Sequence, residues 1–132
     1  MAGEPANGSR DLALYAVQLA LEKKGQDVHL LEVGQISIIA DFFLLVTGNT
    51  VVQVHAVCDH ISESLKKENI YLLRVEGYRE GWWVVLDYGG LVIHVFQPEA
   101  RIFYDLERLW SSAPLINLDE QVASSSYHHE KP

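Results

Sequence analysis

The side chains whose types and spacing could do chemistry are few. Cys58 is the single cysteine of the 132-residue chain, so an intramolecular disulfide, a zinc ribbon and a CxxC redox pair are all excluded. It falls on the apolar stripe of a predicted helix, where a buried thiol is inert rather than nucleophilic. His55 and Asp59 stand four residues apart on that helix. They could share a ligand, or make an ordinary surface hydrogen bond. Arg101 and Asp105 are a second pair of this kind, worth a few tenths of a kcal/mol. Thr47-Gly48-Asn49-Thr50 is the one turn suited to phosphate, because it opens a helix N-terminus. Nucleotidyltransferase folds follow such a turn with Asp-x-Asp to hold two metal ions, and residues 51–59 contain no such pair. The dinucleotide and P-loop glycine motifs, Gly-x-Ser-x-Gly and His-Glu-x-x-His are all absent. His128-His129 reads as part of a solvated tail. The sequence therefore assigns no catalytic residue, no metal ligand and no cofactor.

The most informative feature is a predicted hairpin. Strands over 82–88 and 91–96 flank Gly89-Gly90, a strong turn signal. With a two-residue loop, strand parity sorts the side chains. One face carries Trp82, Val84, Leu86, Leu91, Ile93 and Val95, aliphatic apart from its first member and fit to lie under a helix. The other carries Trp83, Val85, Asp87, Val92, His94 and Phe96. That mixed face fits a protein-binding surface, with aromatic contact area and polar anchors. It fits equally a second core layer with a satisfied histidine.

The elements that must hold this hairpin follow from periodicity. Ser9 is a suitable cap for a first helix whose inward stripe is Leu12, Tyr15, Ala16, Leu19 and Ala20. Strands are predicted over 28–33 and 42–47, the second apolar on both faces and hence central. Val51, Val54, Cys58, Ile61 and Leu65 mark the inward stripe of a second helix. A strand over 71–76 after it completes a β-α-β unit. Pro98 and Glu99 suit the start of a third helix, with Phe103, Leu106, Leu109 and Trp110 as its apolar stripe. The expectation is an α/β (α+β) domain over residues 9–116 in the order α-β-β-α-β-β-β-α. One mixed five-stranded sheet is flanked by helices, with a flexible leader over 1–8 and a disordered polar, acidic tail over 117–132.

Charge limits the partners. The chain has 18 acidic and 10 basic residues, and 14 of the acidic and 8 of the basic ones lie within residues 11–110. An acidic domain is repelled by nucleic-acid phosphates and by anionic membranes, and attracted to a basic protein. No secretory h-region and no membrane-spanning stretch is read, so the expected location is cytoplasmic, or an organelle matrix.

Several segments together resemble one family. Ala40-Asp41-Phe42-Phe43, Thr47-Gly48-Asn49-Thr50, Trp83-Val84-Val85-Leu86-Asp87-Tyr88-Gly89, Val92-Ile93-His94-Val95-Phe96 and Phe103-Tyr104-Asp105-Leu106-Glu107-Arg108-Leu109-Trp110 look like the ribosomal silencing factors, also called Iojap-like proteins. The resemblance implies a nucleotidyltransferase-like fold without catalytic carboxylates. It also implies a translational repressor. Such a repressor binds a small basic protein on the intersubunit face of the large ribosomal subunit and blocks joining of the small subunit. It implies an interface tryptophan at Trp83, which favours the mixed face as a binding surface. The expected interface is then Trp83, Val85, Asp87, Tyr88, His94 and Phe96, with Trp83 and Phe96 as apolar anchors, Asp87 and His94 as polar contacts and Tyr88 on the loop rim. Arg101, Tyr104, Glu107 and Trp110 match the same pattern, either as further interface or as fixings for the last helix. Two positions depart from it: Gly90 stands where an Asp is usual, and Pro98 interrupts an acidic helix start. A divergent nucleotidyltransferase-like enzyme and a homodimeric scaffold built on the same hairpin face are the alternatives.

Overall fold

More than half of the buried apolar residues belong to one strand and the two long helices. In the computed structural model, which describes residues 6–118, the elements are α1 (Ala6–Glu22), β1 (Gln26–Glu32), β2 (Phe42–Thr47), α2 (Val51–Lys67), β3 (Arg74–Glu76), β4 (Trp83–Asp87), β5 (Leu91–Phe96), α3 (Pro98–Tyr104) and α4 (Leu106–Leu109). All six residues of β2 are buried, as a strand apolar on both faces must be. The sheet is five-stranded in the order β1-β2-β5-β4-β3. Only β2 and β5 pair in parallel; the other neighbours are antiparallel. The expected β-α-β unit is therefore corrected in one respect. β3 is only three residues long and lies at the far edge, with β5 and β4 between it and β2.

α1 and α2 pack side by side on one face, where Leu19, Ala20, Val57 and Ile61 meet Leu44, Val84, Ile93 and Val95 in the main core cluster. α2 is capped by its own sequence. Thr50 Oγ1 accepts from the Gln53 N–H at 3.0 Å, and Gln53 Oε1 accepts from the Asn49 N–H at 2.8 Å, a capping-box arrangement. Of the donors in the turn that could have cradled phosphate, the Asn49 N–H is thus taken by the Gln53 side chain and the Gly48 N–H by Phe96 O at 3.0 Å.

Two terminal expectations need correction. α1 begins at Ala6, so residues 6–8 are helical rather than part of a leader, and Ser9 is not its cap. Ser9 instead donates to Asp41 Oδ2 at 3.2 Å, which ties the start of α1 to the β1–β2 loop. Residues 114–116 run along the outer edge of β1. Glu32 N–H donates to Pro114 O at 2.9 Å and Ile116 N–H to Leu30 O at 3.0 Å, covering an edge that would otherwise be open. Leu118 still packs against the core. The remaining leader and tail positions, 1–5 and 119–132, lie outside the described residues.

The predicted third helix is broken. Asp105 sits in the left-handed region at φ 49°, so α3 and α4 are two short pieces and the helical stripe does not continue through it. Leu106 is buried, but Phe103 and Leu109 are 73% and 71% exposed. The break also cancels the Arg101–Asp105 pair. Arg101 reaches Glu107 instead, with Nε and Nη2 on the two carboxylate oxygens at 3.1 and 2.6 Å. Its Nη1 donates to Asp27 O at 2.6 Å and Thr47 Oγ1 at 2.8 Å, and its guanidinium lies 5.6 Å from the centre of the Phe96 ring. His29 Nδ1 lies 2.5 Å from the same carboxylate. One buried arginine thus fastens α3, α4, β1 and β2 together.

Replacing Arg101 by Ala leaves Thr47, the Asp27 carbonyl and Glu107 without this donor, and should cost about 2–3 kcal/mol in urea unfolding. The Glu107 carboxyl is held below its ordinary range, chiefly by the Arg101 hydrogen bond and against its partial burial. A folded-state value below the unfolded one gives stability that is present above the unfolded value and is lost as pH falls through the folded one. The stability difference between the wild type and Glu107→Gln should therefore shrink on acidification below the carboxylate range. A difference that stays constant down to pH ~2 contradicts the assignment.

Candidate functional site

The hairpin loop decides which side chains share a face. The Tyr88 N–H donates to Leu91 O at 2.9 Å, so Gly89 and Gly90 alone form the loop. Gly89 takes a positive φ of 90°, which glycine adopts without steric cost. The parity read from the sequence therefore holds. Val84, Leu86, Leu91, Ile93 and Val95 are buried in the core under α1 and α2, and the mixed residues face the other way.

That mixed face is divided. α3, α4 and the residues after them cover the β1, β2 and β5 columns, forming a second cluster of Leu31, Phe43, Leu45, Phe96, Ala100 and Leu106. The β4 column is left partly open, with Trp83, Val85 and Asp87 half-buried. Phe96, expected as an anchor, is 0% exposed and His94, expected as a polar contact, is 7% exposed. Both are corrected to the second core layer: Arg101 of α3 lies over the Phe96 ring, and His94 is enclosed by the rings of Phe43, Trp83 and Phe96. Trp83 and Asp87 remain reachable. The Gly89 N–H donates to Asp87 Oδ1 at 2.9 Å, which fixes this carboxylate at the turn. Tyr88, expected at the rim, turns to the opposite side. Its ring packs against the main core, its buried hydroxyl has no partner among the described residues, and burial pushes its pKa up to about 12.

Aromatic rings continue the open column onto α3. Trp83 lies 4.4 Å from the Tyr104 ring. Trp82 meets Tyr104 edge-on at 5.9 Å, and Phe103 meets it perpendicularly at 4.9 Å. Trp82 was assigned by parity to the aliphatic face, but β4 begins after it and it is 40% exposed. Trp82 and Phe103 are thus members of an exposed ridge that sequence reasoning missed. Parity ends where the strand ends, and Phe103 is exposed because α3 turns Ala100 and Arg101 toward the core. Trp110 belongs to the covered half, edge-on to Phe43 at 5.1 Å. Arg101 and Glu107 hold that half in place. Their partner Thr47 was legible in principle, as the polar residue on the same side of β2 as Phe43 and Leu45. His29 was not, because a register shift between Gln26 and His29 breaks the alternation.

The remaining chemical candidates are engaged structurally. His55 Nε2 lies 2.5 Å from Tyr78 O, its ring stacks on Tyr78 at 4.2 Å, and the Tyr78 hydroxyl donates to Asp59 Oδ1 at 2.8 Å. The pair clamps the turn before β4 rather than sharing a ligand. Cys58 is buried, and burial chiefly raises its thiol to about 12. Among the described residues no group of three His, Cys, Asp or Glu side chains is placed to hold a metal ion, and no helix is long and apolar enough to cross a membrane.

The family model described as ribosomal silencing factor during starvation matches residues 6–132. The chain belongs to the ribosomal silencing factor family. A ribosomal silencing factor of Halalkalibacterium halodurans is 38% identical over 115 residues, covering 87% of this chain and 98% of that one. A mouse protein named for mitochondrial assembly of the large ribosomal subunit is 28% identical, covering 81% of this chain and 47% of its own. A crystal structure of a Chromobacterium violaceum protein superposes with a TM-score of 0.72 at 29% identity, covering 82% of this chain and 88% of that one. The two departures from the silencing-factor pattern have local settings here. A Cβ at Gly90 would meet Asp41 Oδ2 at 2.9 Å, so another carboxylate already stands at that corner. Pro98 occupies the first turn of α3 and Glu99 still gives that turn an acidic residue.

Burial lowers the His94 pKa from its ordinary 6.5 to about 4. The unfolded chain then takes up this proton before the folded one does. Stability linked to His94 is thus complete above about pH 6.5 and falls as pH drops toward 4. His94→Phe should remove a loss on the order of 3 kcal/mol across that window, read from urea midpoints at a series of pH values. Equal slopes in the two proteins contradict a buried neutral histidine.

Proposed function

We propose that this silencing factor is a non-enzymatic translational repressor. It binds the large ribosomal subunit through a small basic ribosomal protein on the intersubunit face and sterically blocks joining of the small subunit. The observation that carries the reading is the open β4 column. It places a half-buried tryptophan, a valine and a turn-fixed carboxylate beside an exposed aromatic ridge, on a domain whose residues 11–110 hold 14 acidic and 8 basic side chains. The few residues that carry most of the energy of a protein interface are enriched in tryptophan and tyrosine, and a carboxylate beside them favours a cationic partner. The acid excess disfavours ribosomal RNA as the main contact. Membership of the silencing-factor family and a relative named for large-subunit assembly support the same partner. The site of action is then the cytoplasm of a bacterium or the matrix of an organelle, and the chain needs no cofactor.

Gradient sedimentation with separated ribosomal subunits tests this directly. The protein should travel with large subunits and reduce the formation of joined ribosomes; migration with neither subunit contradicts the reading. Trp83→Ala should stay folded and weaken large-subunit binding by ~2 kcal/mol or more. Glu63→Ala, on the exposed side of α2 away from the β4 column, should bind as the wild type does. Unchanged binding by Trp83→Ala removes Trp83 as the anchor.

A further inference from the structure

A buried histidine joins the covered half of the mixed face to the open half. His94 on β5 is a diagonal neighbour of Trp83 on β4, since Val85 is its direct partner. Diagonal pairs are within reach of large side chains. The Trp83 indole Nε1–H donates to His94 Nδ1 at 3.1 Å. An indole nitrogen can only donate, so Nδ1 must be the acceptor and the proton of the neutral ring must sit on Nε2. That Nε2 is buried and has no hydrogen-bond partner among the described residues. On its other side the imidazole stands edge-on to Phe43, 5.1 Å away, and Phe43 is edge-on to Trp110.

Burying an N–H without a partner is unfavourable. A phenylalanine would fill the same space without that cost. What histidine alone supplies here is the acceptor toward Trp83. Resting on the reading of Trp83 as the partner-facing anchor, we propose that His94 is a positioning residue. It holds the Trp83 indole in one orientation through Nδ1, so that the partner meets the ring as an apolar surface whose N–H is already engaged. His94 itself touches no partner.

Three variants test this with purified large ribosomal subunits. His94→Phe keeps the volume and removes the acceptor. It should be at least as stable as the wild type in urea, yet bind large subunits about tenfold more weakly, since an unfixed anchor must be ordered on binding. Its Trp83 indole N–H should lose the downfield proton shift and slow exchange that mark a hydrogen bond in the NMR spectrum. His94→Asn sets Oδ1 near the place of Nδ1. It should be less stable because it leaves a cavity, but keep the indole N–H shift and near-wild-type binding by its folded fraction. In a Trp83→Ala background, His94→Phe should change binding less than twofold. Wild-type affinity of His94→Phe, its unfolding, an unchanged indole N–H, or an undiminished effect in the Trp83→Ala background each overturn the proposal. Failure of Trp83→Ala alone to weaken binding overturns the interface reading instead, so the two failures are distinguishable.

Discussion

The guanidinium of Arg101 sets how much of the sheet this protein exposes. It is almost fully buried, and its donors reach Glu107 after the helix break, Thr47 at the end of the fully buried strand β2 and the Asp27 carbonyl on the first strand. Forked, planar donors of this kind fix direction as well as distance. They hold α3 and α4 over the β1, β2 and β5 columns, with Tyr104 at the end of α3 reaching the Trp83 end of β4. Without that restraint the short helices have little of their own to hold them, since a seven-residue and a four-residue helix are far too short to persist alone.

The division of the mixed face follows from this restraint. The covered half is a core layer, with Phe96 and His94 inside it. The open half keeps Trp83, Val85 and Asp87 within reach of another molecule, and the end of α3 adds Tyr104 and Phe103 to its border. Aromatic contacts run continuously from Trp110 through Phe43 and His94 to Trp83 and Tyr104. The surface is therefore held by packing from below rather than carried on a mobile loop, and a pre-ordered surface loses less entropy on association.

Much of the scaffold was legible before any coordinates. The all-apolar run of β2, the two long amphipathic helices and the Gly89-Gly90 loop each carry a local signal, and each has the expected form. The partition of the hairpin faces was legible for the same reason, because a two-residue loop leaves the alternation no freedom. Reading failed where long-range contacts override local pattern. The apolar spacing through Phe103 and Leu109 looks like one helical stripe, yet left-handed Asp105 divides it into two short helices, and both residues are exposed. Residues 114–116 carry no strand pattern, and become an edge only because β1 lies beside them.

By itself the sequence determined the fold class, the family pattern, the two faces of the hairpin and the acidic balance. These depend on residue type and on neighbours a few positions away. Only the tertiary structure decided which half of the mixed face is surface. Phe96 and Trp83 are directly paired across β5 and β4 and point the same way, so no alternation rule can separate them. What separates them is a helix placed by an arginine 54 residues away in the chain from the threonine it binds. Burial is a property of what lies above a residue, and that was settled by contacts between distant segments.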